Sequence, residues 1–308
     1  MSGVDVAVGV VRDKEGRILI ARRKDDAHQG GLWEFPGGKF EQAEDVQQAL
    51  GRELFEELNV RPKSSQPLIN INFNYPECRV HLHVREVRDF DGEPVGREGQ
   101  ACKWVAVQEL NDYEFPEANK AILSAVKLGR HYAIIGGNNS RQILRDLEYV
   151  STQKVNLVQI RVKGLSTSNI EEMLIAVRRK CNELGMDYLL NSQMPVKRNL
   201  HEGLHLTSFD LMNIKQRPES AGFVAASCHN LQELLKAEQL ALDFAVLSPV
   251  METASHSEAK VLGWQQFAEW VAKVNIPVFA LGGVAKRDYQ KAIELGAQGI
   301  SGISLYKE

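Results

Sequence analysis

Three glutamates, Glu53, Glu56 and Glu57, stand at steps of three and one in the stretch from Glu44 to Leu58. Val46, Ala49, Leu50 and Leu54 recur there at helical spacing, which predicts an amphipathic helix. On a helix, positions i, i+3 and i+4 share one face, so the three carboxylates crowd together. Like charges this close repel unless a cation sits among them. Hard oxygen donors suit Mg²⁺ or Mn²⁺, and such ions bridge phosphate oxygens, neutralise developing charge and activate water. Gly37 and Gly38 lie ahead of the helix and let the backbone approach a metal or phosphate closely. A solvated acidic face is the ordinary fate of a glutamate run. Here the run has companions at set offsets: Gly38, five residues, Glu44, seven residues, then Arg52 and Glu53. That spacing favours a metal centre that handles phosphate.

Strands must position such a helix. Val4–Val11 and Arg17–Arg22 are β-rich runs joined by the turn DKEG. Leu32–Pro36 leads into the Gly37-Gly38 turn. Arg79–Val87 alternates Val80, Leu82 and Val84 inward with polar residues outward, a half-buried strand. Residues 91–100, DGEPVGREGQ, read as a charged loop, and Pro116 opens a helix that runs to about Lys127. The second half has another rhythm. Eight short apolar runs (132–135, 156–162, 187–191, 203–206, 222–227, 243–248, 277–281 and 299–304) alternate with helical stretches such as Asn169–Leu184 and Gln265–Val274. That order predicts a (β/α)₈ barrel. The half is short for one, in keeping with the weak helical pattern after DYLLN and the end of the sequence soon after the eighth run. The expected boundary lies near LGRH (128–131), giving domains 1–129 and 130–308, both α/β.

At 308 residues, 44% hydrophobic and 25% charged, the chain has the composition of a two-domain globular protein. Its net charge of −3 does not favour binding to a nucleic acid polymer. The charge divides as −5 in residues 1–129 and +2 in residues 130–308. Cys78, Cys102, Cys181 and Cys228 are scattered and form no CxxC pair, as expected of thiols in a reducing compartment. Neither a signal peptide nor an apolar run of membrane-spanning length is legible. A cytoplasmic location is the expectation.

The spacing G-x5-E-x7-R-E-x-x-E-E from Gly38 to Glu57 resembles the signature of the Nudix hydrolases, with Asn59 where that family has Gly. The stretches VAVGVVRD, ARRKDDAH, EFPGGK, DGEPVGREGQ and FPEAN further resemble the MutT-type 8-oxo-dGTP diphosphatases within that family. The resemblance implies an α/β/α sandwich. It also implies cleavage of a nucleoside triphosphate to monophosphate and pyrophosphate, with water attacking the β-phosphorus. Glu53, Glu56 and Glu57, with Gly38, would hold Mg²⁺ or Mn²⁺, Glu98 would be a further ligand or help position the attacking water, and Glu53, Glu98 and Arg52 would be the catalytic residues. Arg52 would orient the glutamates, and Glu44 would brace the helix start. Asn119 would read the base, since an amide offers a donor and an acceptor together. Arg23 and Phe35 would hold the nucleotide, and His28 also matches. Cys78 and Arg79 depart from the family's pocket strand. Asn59 can still end the helix, because Asn tolerates positive φ.

Residues 131–308 resemble the thiamine-phosphate synthase/TenI family of small TIM barrels through QIRVKG, LLNS, GLHL, AASCH, LSPVMETAS, ALGGV and GISGIS. In that family a basic strand end binds diphosphate and two aspartates hold Mg²⁺. Arg161 and Lys163 match the former. Ser192 stands at one aspartate position, Asp210 at the other, and His256 near an expected lysine. Gly282, Gly283 and Ser304 fall at the usual barrel phosphate position. Three readings follow: a nucleotide-sanitising hydrolase with an accessory phosphate-binding barrel, a bifunctional enzyme whose barrel acts in thiamine phosphate synthesis, and a barrel that senses a metabolite without catalysis.

Overall fold

The computed structural model describes residues 3–25, 29–75, 78–137, 139–162, 164, 166–253 and 260–306. His28, Lys163 and His256 lie outside the described residues. The chain packs as two compact units, Met1–Lys127 and Leu128–Glu308.

The first unit runs β1 (Gly3–Val11), β2 (Ile18–Arg22), β3 (Trp33–Glu34), β4 (Gly37–Lys39), α1 (Val46–Leu58), β5 (Arg61–Asn74), β6 (Arg79–Asp91), β7 (Cys102–Val105) and α2 (Lys120–Lys127). The order β4-β1-β6-β5 makes one sheet, in which β1 is parallel to β6 and antiparallel to β4. The order β3-β2-β7 makes a second, antiparallel sheet. Alternation along β1 divides the core in two. Ala7 and Val11 meet Ala49, Leu50, Leu54 and Leu58 of α1. Val8 and Val10 face the other way, with Ile122, Ala125 and Val126 of α2. The result is an α/β/α sandwich. The helix expected to begin at Pro116 starts instead as a 3₁₀ turn, Glu117–Asn119, before α2 takes over.

The second unit is a closed barrel of eight parallel strands. It contains β8 (His131–Ile135), α3 (Ser140–Thr152), β9 (Leu157–Ile160), α4 (Thr167–Leu184), β10 (Asp187–Asn191), β11 (Gly203–Leu206), α5 (Ser208–Asn213), β12 (Val224–Cys228), α6 (Leu231–Gln239), β13 (Phe244–Leu247), α7 (Gly263–Val271), β14 (Val278–Ala280), α8 (Tyr289–Glu294) and β15 (Gly299–Gly302). Strand β15 pairs with β8 and closes the ring. Tyr132, Leu157, Leu189, Phe244, Val246 and Phe279 pack together in one buried cluster. Ala133, Ile135, Val158 and Ile160 pack instead against α3 and α4. All eight expected strands are present, and β10 passes to β11 without a helix.

Candidate active site

Helix α1 begins at Asp45, whose carboxylate accepts the N–H of Gln47 and Gln48 at 2.8 and 2.9 Å. Gln48 answers by accepting the Asp45 N–H, which completes a capping box. The helix ends on Asn59 at φ 60°, ψ 25°, the left-handed conformation a glycine would otherwise supply. Arg52 is the hub of the acidic face. It donates to both Glu44 oxygens at 2.8 and 2.9 Å, to Glu53 at 2.8 Å, to Glu56 at 3.3 Å and to the Lys39 carbonyl at 2.9 Å. The bonds from Arg52, with the Glu41 N–H, hold Glu44 down at about 2. Glu44 therefore stays charged and fixes the arginine that in turn fixes Glu53.

Among the described residues no ion pair holds Glu57 in this way. Burial, followed by the nearby charges of Glu34 and Glu53 and more weakly Glu98, pushes it up to about 8 against the pull of a hydrogen bond from Gly37. Glu53 sits against Gly38 so closely that a Cβ on residue 38 would fall 2.2–2.4 Å from its carboxylate group. A side chain at residue 38 would have to push that carboxylate aside. Glu98 reaches the same region because its loop is tied to the end of α1. The Val95 and Arg97 N–H groups donate to the Leu58 and Glu57 carbonyls at 3.1 and 2.9 Å. The Gln100 amide donates to the Glu57 carbonyl at 3.1 Å, and the Arg97 guanidinium to the Phe55 carbonyl at 2.9 Å. Glu98 itself pairs with Lys24 at 3.0 Å. Glu56 points outward, about half exposed, and touches Arg52.

The donor set suits a hard divalent cation: carboxylates only, with a half-buried one made reluctant to ionise by its neighbours. As they stand, no three His, Cys, Asp or Glu side chains among the described residues converge as a finished cage. Glu53 leans on Arg52, and Glu98 leans on Lys24. The residues fit a cation in kind and in place, with side-chain rotation completing the site.

Glu34 was not singled out in the sequence. It lies on β3, opposite Ala21 of β2, and pairs with Arg23. Burial raises its pKa although Arg23 pulls it down. It is thus the residue that adjoins both the Glu57 cluster and the expected nucleotide side. Its one sequence signal is its place just ahead of Phe35-Pro36-Gly37-Gly38. Phe35 is 3% exposed and stacks on Phe115 at 5.4 Å, so it forms floor rather than rim. Asn119 is half-buried at the end of the 3₁₀ turn. Tyr75 feels the charges of Arg23, Cys78, Glu117 and Glu34. Cys78, a residue already noted as a departure, lies near Tyr75, whose N–H donates to the Cys78 carbonyl at 2.9 Å.

In the barrel, Arg161, Gly282-Gly283 and Ser304 follow the ends of β9, β14 and β15, all on one rim. Gly282 and Gly283 have φ of 92° and 67°, and a Cβ on either would strike Pro249 or the Glu252 carbonyl. Ser304 is exposed. Ser192 and Asp210 are brought together on the same rim, where Asp210 accepts from Ser192 at 2.5 Å, Gln193 at 2.7 Å and Thr207 at 2.8 Å. Burial works against ionisation, but these three donors hold Asp210 below the usual carboxylate range. Neighbouring Asn191 and Gln193 bring no second carboxylate at a shift of one residue either way. Inside the barrel, His205 bridges the Tyr132 and Ser227 hydroxyls at 3.0 and 2.9 Å. Burial, with Arg161 nearby, lowers it to about 3, so it is neutral. Its interior position could have been read from the alternation of GLHL.

Residues 7–125 match the family described as NUDIX domain, and residues 131–305 match thiamine monophosphate synthase (TMP-TENI). An 8-oxo-dGTP diphosphatase of Escherichia coli (strain K12) is 36% identical over 127 residues, which are 41% of this chain and 98% of that protein. A protein of Aquifex aeolicus (strain VF5), described provisionally as thiamine-phosphate synthase 2, is 31% identical over 186 residues, 59% of this chain and all of that one. The chain belongs to both families, one in each unit. A CTP pyrophosphohydrolase of Escherichia coli (strain K12) is also similar, 34% identical over 41% of this chain and 92% of its own length.

The Nudix unit makes the protein a hydrolase of a family that works with divalent metal ions. The thiamine-phosphate synthase-like unit is a barrel of that family's type. Among the described residues no helix is long and apolar enough to cross a membrane.

Proposed function

We propose that the Nudix unit hydrolyses a nucleoside triphosphate to monophosphate and pyrophosphate with Mg²⁺ or Mn²⁺. We take 8-oxo-dGTP as its preferred substrate and clearance of oxidised nucleotides from the cytoplasmic pool as its role. The observation that carries this reading is the gathering of Glu34, Glu53 and Glu98 around a half-buried Glu57 whose carboxyl is pushed up to about 8. That is a charge arrangement awaiting a cation. Glu53, Glu57, Glu98 and the Gly38 backbone would hold the metal, with Glu56 at its outer side. Metal bound there would neutralise the phosphates and polarise a water. Arg52 keeps one Glu53 oxygen engaged and so leaves the other to face the centre. Glu53 and Glu98 would take the proton of the attacking water. Arg23, steadied by Glu34, would meet the nucleotide above the Phe35 floor, and the Asn119 amide would offer a donor and an acceptor to the purine edge. The test is a nucleotide panel with Mg²⁺ and the full chain. We expect kcat/KM for 8-oxo-dGTP to exceed that for dGTP and for CTP. CTP as the best substrate would contradict the base assignment.

We further propose that the barrel binds a small phosphorylated ligand through Arg161, Lys163, the Gly282-Gly283 turn and Ser304 but does not make thiamine phosphate. A lone Asp210 already satisfied by three neutral donors supports this. A hydroxyl at Ser192 cannot replace a carboxylate around Mg²⁺. Supply of pyrimidine diphosphate, thiazole phosphate and Mg²⁺ should yield no thiamine phosphate. Turnover abolished by Arg161→Ala would instead make the protein bifunctional.

A further inference from the structure

We propose that Lys24 is an exchangeable counter-ion that leaves Glu98 when the metal arrives and then binds the nucleotide's phosphates. Its ammonium lies 3.0 Å from the Glu98 carboxylate, and the two side chains are 52% and 48% exposed. An ion pair so open to water is worth little and exchanges readily. Arg52, by contrast, is pinned by two bonds to Glu44 and one to the Lys39 carbonyl, and stays where it is. Lys24 also follows Arg23 directly, and Arg23 pairs with Glu34, a neighbour in charge of Glu57. The lysine therefore springs from the nucleotide side of the site and reaches to its acidic side. A triphosphate bound through both must pass within its reach.

Like charges exclude one another on a shared carboxylate. While Lys24 occupies Glu98, a divalent cation must displace it. Once displaced from Glu98, the ammonium can turn to a triphosphate, which carries several negative charges on flexible oxygens. Lysine suits this exchange because its charge is compact and its stem is flexible. The metal-free protein thus keeps Glu98 neutralised, and the same charge later adds to triphosphate affinity. This inference rests on Glu98 as a metal ligand.

The test uses the nucleotide-free full chain titrated with Mn²⁺, with free ion read by electron paramagnetic resonance, for the unaltered protein, Lys24→Met and Glu98→Gln. Lys24→Met should tighten Mn²⁺ binding by about two- to fivefold, the range of an exposed ion pair. In turnover it should raise KM for the triphosphate by about three- to tenfold with kcat within about twofold. Lys24→Arg should restore KM. Unchanged Mn²⁺ affinity in Lys24→Met, or an unchanged KM, overturns the exchange while leaving Glu98 a ligand if Glu98→Gln still weakens Mn²⁺. Unweakened Mn²⁺ binding in Glu98→Gln overturns both the exchange and the role of Glu98.

Discussion

The two units treat a carboxylate in opposite ways. In the Nudix unit, Glu57 is half-buried beside Glu34, Glu53 and Glu98, and among the described residues no ion pair to it offsets them. In the barrel, Asp210 stands where the family resemblance places a metal ligand, yet Ser192, Gln193 and Thr207 already satisfy it. One site carries excess negative charge that only a cation from outside can relieve. The other has its charge settled by neutral donors and gains little from a cation. The difference teaches that identity of residue type is a poor guide to metal binding. What decides is whether the fold has already supplied the carboxylate's partners.

The largest effect should come from removing charge at the unsettled site. Glu57→Gln and Glu53→Gln should each lower kcat by at least about 100-fold, on the scale of losing a group that places a catalytic charge. Glu57→Gln should also melt no lower than the unaltered protein in chelator at neutral pH, because the amide replaces a carboxyl that the metal-free protein already holds protonated. Wild-type turnover at saturating Mg²⁺ would break the contrast at once.

A pH series sharpens the same point. Glu57 is raised from 4.5 to about 8, so the folded protein holds a proton there that the unfolded chain has lost. Between those values stability of the metal-free protein should fall as pH rises. A metal must displace that proton. Its apparent affinity should therefore climb by about tenfold per pH unit from pH 6 to about 8 and then level off, with proton release seen by calorimetry in two buffers. A flat affinity over that range would mean Glu57 is already ionised.

A smaller effect concerns the base. Asn119→Ala should cost about 1–3 kcal/mol of discrimination, reducing kcat/KM for 8-oxo-dGTP more than for dGTP. An equal loss on both would make Asn119 a part of the turn rather than a reader.

The smallest effect lies in the barrel. Ser192→Asp would set a second carboxylate against Asp210 and create there the excess charge of the other unit. The melting transition should drop by about 2–4 °C in chelator, for roughly 1 kcal/mol of repulsion, and recover in millimolar Mg²⁺. Indifference to both conditions would mean the two side chains are not paired as described.

Much of this was legible in the sequence, for physical reasons that differ by element. The acidic face of α1 could be read because helical spacing alone places Glu53, Glu56 and Glu57 together. Asn59 could be accepted for glycine because its αL tolerance is intrinsic. The eight barrel strands showed as apolar runs because parallel strands are covered on both faces. Strand β5 was missed because Pro62 and Pro67 and three register shifts break its alternation. Glu34 was missed because its burial and its bond to Arg23 exist only once β2 and β3 pair. Nor could the Lys24–Glu98 pair be seen, since it joins two loops far apart in the chain.

The central claim is that the metal enters at Glu57 and not at Asp210. Mn²⁺ titration of the full chain, unaltered and as Glu57→Gln and Asp210→Asn, tests it most directly. Binding should be lost or weakened at least about tenfold in Glu57→Gln and be unchanged in Asp210→Asn. Binding that survives Glu57→Gln and disappears in Asp210→Asn would contradict it.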